Sequence, residues 1–65
     1  MTAAEVTTLH ELEERAANLQ AELGAAIAAE RTVGPLGARD HAAYIRALRR
    51  RLDAVRAELA ELLGP

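Results

Sequence analysis

Thr32-Val33-Gly34-Pro35-Leu36-Gly37 is the one place in this 65-residue chain where a helix cannot simply run on. Pro35 has no amide hydrogen to give to a helical ladder, and Gly34 suits the left-handed residue that follows many helix C-termini. The pattern on either side of this break decides the fold. Before it, Leu9, Leu12, Ala16, Leu19, Leu23, Ala26, Glu30 and Val33 step by alternating intervals of three and four. After it, Ala38, His41, Ile45, Leu48, Leu52, Val55, Leu59 and Leu62 do the same. Such spacing marks the seam of a coiled coil. When the first series is read forwards against the second backwards, the residue numbers of every facing pair add to 71. The two seams meet in this way only if the chain reverses at residues 34–37. The expected fold is therefore all-α: an antiparallel, coiled-coil-like two-helix hairpin. It forms a single domain over residues 1–65, with helices at 3–32 and 38–63 and a turn at 33–37. The rival is one kinked helix of ~90 Å at 1.5 Å per residue, which would leave the mirrored seams unexplained.

Working outward to the helix ends, Thr2 and Glu5 have the spacing of a capping box, with Met1 and Val6 at the positions of a hydrophobic staple. Asp40 is a candidate cap for the second helix, and Gly64-Pro65 is a stop signal. Gly24, in mid-helix, is a weak point of ~1 kcal/mol relative to Ala. The buried seam is expected to consist of Leu12, Leu19, Leu23, Leu48, Leu52, Val55 and Leu59.

Composition narrows the function classes. The chain has no Cys, so it has no disulfide, thiolate metal site or Cys nucleophile. It also has no Ser and no Lys, and no Gly-rich phosphate loop. With so little mass to enclose a pocket, no enzymatic activity and no cofactor are expected. The first residues lack a basic stretch followed by an apolar one, and the longest apolar run, Ala25 to Ala29, is far too short to span a bilayer. A cytoplasmic location is the expectation, and all-Arg basic residues amid abundant Ala, Gly and Leu suit a GC-rich bacterial genome. Sixteen residues are Ala, so core volume must come from ten Leu, three Val and two Ile.

Charge is divided along the hairpin. Residues 1–15 and 53–65, at the open end, hold seven carboxylates and two arginines, a net of −5. Residues 16–52, toward the turn, hold six arginines and three carboxylates, a net of +3. Within this field, Arg46, Arg49, Arg50 and Arg51 form the only dense basic run. Arg46, Arg49 and Arg50 share a helical face that could contact an anion such as a phosphate. The competing reading is a solvated, paired face, with Glu22 opposite Arg49 in the 71 register and Asp53 four residues beyond it.

Two histidines invite metal or proton chemistry. Glu30 and His41 face each other in the seam, either as a proton-transfer or metal pair or as a polar contact that fixes register. Two ligands are too few for a closed metal site. His10 shares a face with Glu13 and Glu14, but Glu-x-x-His is absent, since Thr7 and Ala38 stand three residues before His10 and His41. No metal is expected.

The layout resembles the Rop hairpins, which dimerise into four-helix bundles, and a family of two-helix ribosomal proteins. The resemblance is architectural, and architecture does not carry function. A hairpin that buries one stripe of each helix leaves the flanks of both wet, so a partner is expected. The expected role is a protein–protein interaction or assembly module, either an antiparallel homodimer forming a four-helix bundle or a small subunit docked on a larger complex. The alternative is a small regulator contacting RNA or DNA through Arg46, Arg49 and Arg50. Val6, Leu9, Gly24, Ile27, Tyr44 and Leu63 are the candidate interface residues. Only head-to-tail packing of two copies sets the acidic end of one against the basic end of the other.

Overall fold

The computed structural model describes residues 1–64; Pro65, the second half of the expected stop signal, lies outside the described residues. Helix α1 spans Ala3–Ala29 and continues into a 3₁₀ turn at Glu30–Thr32, and helix α2 spans Ala38–Leu63. The two helices pack antiparallel into a rod 50 Å long and 16 by 14 Å across. The chain thus reverses at the break and the single-helix rival is excluded.

Local chemistry sets the ends of the helices. The Thr2 hydroxyl accepts from the Glu5 amide at 3.2 Å while the Glu5 carboxylate accepts from the Thr2 amide at 3.2 Å, which completes the capping box. Two of the amides left over at a helix start are satisfied this way. At the far end Gly64 takes a φ of 75°, and its amide donates to the carbonyls of Ala60 and Glu61 at 3.1 and 3.2 Å. A residue with a Cβ is strained in that conformation, which is why glycine ends α2.

The turn is built differently from the expectation. Gly34 does not adopt the left-handed conformation; among the described residues only Gly64 has a positive φ. Instead α1 tightens before it stops. The Glu30 amide donates to the Ile27 carbonyl, three residues back rather than four, and Val33 then leaves in an extended conformation at φ −78° and ψ 123°. Tightening of the last turn disposes of orphan groups without a left-handed residue. Pro35 then occupies the second position of a turn closed by the Gly37 amide on the Gly34 carbonyl at 3.0 Å, where its fixed φ is favourable. Asp40 is not the cap of α2. Gly37 takes that position without a side-chain cap, and Asp40 lies in the first turn, where its charge faces the positive end of the helix dipole. A Cβ on Gly37 would come within 3.3 Å of Val33 Cγ1, so the glycine lets the half-buried Val33 close over the start of α2.

Burial follows the mirrored seams. Leu12, Leu23, Ala26, Ile45, Leu48, Leu52 and Val55 are buried, and Leu48 is completely so. A cluster of Leu23, Ala26, Ile45, Leu48 and Leu52, with Ala16 and Leu19 packed against it, forms the core. Leu23 with Leu48, Ala26 with Ile45 and Leu19 with Leu52 are facing pairs of the 71 register. Two expected core residues, Leu19 and Leu59, are only half-buried, whereas Ala26 and Ile45 are more enclosed than expected. With only two long helices to pack among the described residues, a leucine beside the seam's rim keeps one side in water, whereas a small residue such as Ala26 is covered whole.

Candidate interaction surface

Three side-chain hydrogen bonds cross between the helices among the described residues, and two of them define the flanks of the hairpin. Arg56 Nη2 donates to Gln20 Oε1 at 2.9 Å. Each of these residues directly follows a seam position, Val55 and Leu19, so their contact brings the following positions of both helices to one side. That side also carries Val6, Ile27, Ala42, Arg49 and Leu63, and is called here the Ile27 flank. A shallow open groove lined by Ile27, Glu30, Ala42, Ile45, Arg46 and Arg49 lies along it. On the opposite side the Tyr44 hydroxyl donates to Glu22 Oε1 at 2.6 Å. These two residues precede seam positions Ile45 and Leu23, and theirs is the Tyr44 flank.

The third bond ties the helices at the turn end. His41 Nε2 lies 2.8 Å from the Ala26 carbonyl oxygen. A carbonyl only accepts, so the Nε2 of His41 carries the hydrogen, as it does in one neutral tautomer and in the imidazolium. The carbonyl is free because of the 3₁₀ turn: the Glu30 amide, which would take it in a continuing α-helix, bonds Ile27 instead. His41 thus marks the register, but through the α1 backbone. Its seam partner Glu30 is exposed and takes no part in the contact, so the two do not form a proton-transfer or metal pair.

The candidate interface residues divide among three places. Val6, Ile27 and Leu63 lie on the Ile27 flank, with relative exposures of 36%, 42% and 63%. Gly24 is exposed one step further round α1 on the same side, and a Cβ built on it would meet no other atom within 4 Å. Tyr44 is exposed on the opposite flank and engaged with Glu22. Leu9 is half-buried in the seam itself. The six therefore do not form one patch, because two of them belong to other surfaces of the rod.

Glu22 does not serve Arg49 as the register suggested: it bonds Tyr44 on one flank, whereas Arg49 lies on the other. Arg46, Arg49 and Arg50 are exposed and enter none of the side-chain hydrogen bonds among the described residues. The Tyr44 phenol is pushed above its ordinary pKa by the hydrogen bond to Glu22, with burial and the Glu22 charge adding to it and Arg51 opposing. Ionising the phenol would place a second negative charge against the carboxylate.

Among the described residues no group of three or more His, Asp or Glu is placed to hold a metal ion, and no helix is long and apolar enough to cross a membrane. No family model matches the chain, nor does any curated protein or solved structure.

The Gln20–Arg56 and Glu22–Tyr44 contacts were not anticipated from the residues. Each joins side chains about five residues from directly facing positions, so a rule of direct opposition passes over them. Their shared flank positions and long, polar side chains were the available signal.

Proposed function

We propose that the protein is an assembly module that works by self-association through its Ile27 flank. The observation that carries this reading is the placement of apolar surface: Val6, Ile27 and Leu63 stay exposed on one flank although the hairpin has no further element to cover them. Covering that flank with a second hairpin would give a four-helix bundle, in which each helix buries two adjoining stripes. The net charges of −5 and +3 at the two ends favour head-to-tail packing. Exposed pairs contribute only ~0.2–1 kcal/mol each, so charge would select the orientation while apolar burial supplies most of the affinity.

Sedimentation equilibrium at micromolar concentration is expected to return about twice the 7.0 kDa chain mass, with a melting temperature that rises with protein concentration. A folded monomer whose melting temperature ignores concentration would overturn self-association and leave docking on a larger protein.

A second reading rests on Arg46, Arg49 and Arg50, which are exposed and enter no side-chain hydrogen bond among the described residues. They would contact the phosphates of RNA or DNA. A salt-sensitive mobility shift that is lost in Arg49→Glu/Arg50→Glu would support this reading, and no shift at low salt would reject it.

A further inference from the structure

Resting on the self-association reading, we infer that the second copy lies antiparallel on α1, with the two-fold axis passing between Ala21 and Gly24, and that Arg31 of each copy pairs with Glu13 and Glu14 of the other.

The argument begins with where α1 carries charge. Between Arg15 and Glu30 its only ionisable residue is Glu22, and Glu22 is drawn to the Tyr44 flank by its hydrogen bond. The opposite side of α1 is consequently uncharged from Ala17 to Ala28. It exposes Gln20, Ile27, alanine methyls and the bare backbone of Gly24, and the turn-end groove lined by Ile27, Ala28, Glu30 and Arg31 continues it. This stretch is bounded by Glu13 and Glu14 at one limit and at the other by Arg31, beside Glu30 of the seam series, which lines the same groove. Glu13, Glu14 and Arg31 are exposed, and none of them enters a side-chain hydrogen bond among the described residues.

The spacing makes this face complementary to itself. The residue numbers of Glu14 and Arg31 add to 45, and so do those of Ala17 and Ala28, and of Ala21 and Gly24. Glu13 with Arg31 and Ala17 with Ile27 add to 44. One antiparallel two-fold arrangement therefore sets Ile27 over Ala17, Gly24 over Ala21 and both acid–base limits together, about 25 Å apart at 1.5 Å per residue. A parallel copy would oppose Glu13 and Glu14 to themselves and Arg31 to itself. The small side chains at the centre permit the close end of the usual 8–10 Å interaxial range. A partner of other sequence would have to reproduce the same reversed pattern at the same distance, which a second copy has by construction.

The test is charge reversal with rescue, read by sedimentation equilibrium on the full chain, with circular dichroism confirming unchanged helicity. Arg31→Glu, and separately Glu13→Arg/Glu14→Arg, are each expected to weaken the dimer at least about tenfold. The three substitutions combined restore most of the affinity. Gly24 is exposed and a Cβ there meets nothing within 4 Å beyond its own helix backbone, so loss of dimer in Gly24→Leu at unchanged helicity reports the contact between chains. A wild-type dimer indifferent to both reversals, or reversals that do not rescue each other, would overturn this arrangement while leaving self-association standing. A wild-type chain that stays monomeric would overturn both.

Discussion

The two halves of the rod are held together by different means. Toward the turn, Leu23, Ala26, Ile45 and Leu48 are all buried, and the His41–Ala26 and Tyr44–Glu22 bonds bridge the helices beside them. Toward the open end Leu12 and Val55 are buried, but Leu9, Leu59 and Leu62 beyond and between them are only half-buried, and no cross-helix hydrogen bond among the described residues lies beyond Arg56–Gln20. A short connection makes contacts near the turn cheap in loop-closure entropy, whereas the open end must be brought together across nearly the whole chain. Polar contacts therefore concentrate where the helices are already held together, and the open half depends on apolar contact and on its caps. Stability is expected to fall along the rod from turn to open end, as local opening free energies do in small proteins.

The largest effect that could break this comparison comes from the core. Leu48 has no exposed surface, so Leu48→Ala is expected to cost about 2–5 kcal/mol in urea unfolding. Leu62→Ala, at the open end, should cost roughly 1 kcal/mol because much of that side chain is already in water. Both measurements belong at one protein concentration, since self-association would add to each. Equal losses at the two positions would show that the gradient is absent.

The His41 contact sharpens the comparison next. His41→Leu fills the seam position with an apolar side chain but removes the donor to the Ala26 carbonyl, and is expected to cost about 1–3 kcal/mol. Faster amide exchange should appear at Glu30 and its neighbours before it appears at the open end. His41→Gln, with an amide donor, should recover part of the loss. A neutral His41→Leu would mean that the 3₁₀ turn reverts to α-helix and the Glu30 amide takes the freed carbonyl back.

The open end has its own test in Thr2→Ala, which removes the hydroxyl from the capping box and is expected to cost ~1 kcal/mol. The damage should stay local, raising exchange through the first two turns of α1 and leaving Ile45 and Leu48 protected. Global loss of protection would contradict a weak open end, because it would make the cap a support of the whole rod.

The architecture was legible in the sequence to an unusual depth, since apolar periodicity and its mirror symmetry concern side chains that meet by direct opposition. The half-burial of Leu19 and Leu59 and the turn chemistry were not legible. The fate of Gly34 depended on whether α1 would stop through a left-handed residue or by tightening, two solutions for the same orphan carbonyls. From that choice followed the free Ala26 carbonyl, and from the carbonyl the partner of His41. The candidate surface was legible in part. Val6, Gly24, Ile27 and Leu63 fell on one side, whereas Tyr44 was placed with them because exposure alone does not tell which flank of a seam a residue occupies.

The smallest effect lies with Tyr44 and is set by pH. The phenol's pKa in the folded chain stands above its ordinary value because its hydrogen goes to the Glu22 carboxylate. In the unfolded chain the phenol returns to a pKa of about 10. Between these values the folded state binds more protons than the unfolded one, so stability must fall as pH rises. The contribution of the pair is thus fully present below about pH 10 and disappears as pH climbs through the raised folded value. Because Tyr44 is exposed, solvent screening keeps the effect small. Thermal melts of the wild type should lose more between pH 9 and pH 11, taken as roughly one unit on each side of the free phenol, than melts of Tyr44→Phe. The two proteins should converge at the alkaline limit, where the wild type no longer holds the proton it shares with Glu22. Parallel pH curves would show that the bond does not outlast competition from water on the exposed flank, and would leave the His41 contact to tie the turn end.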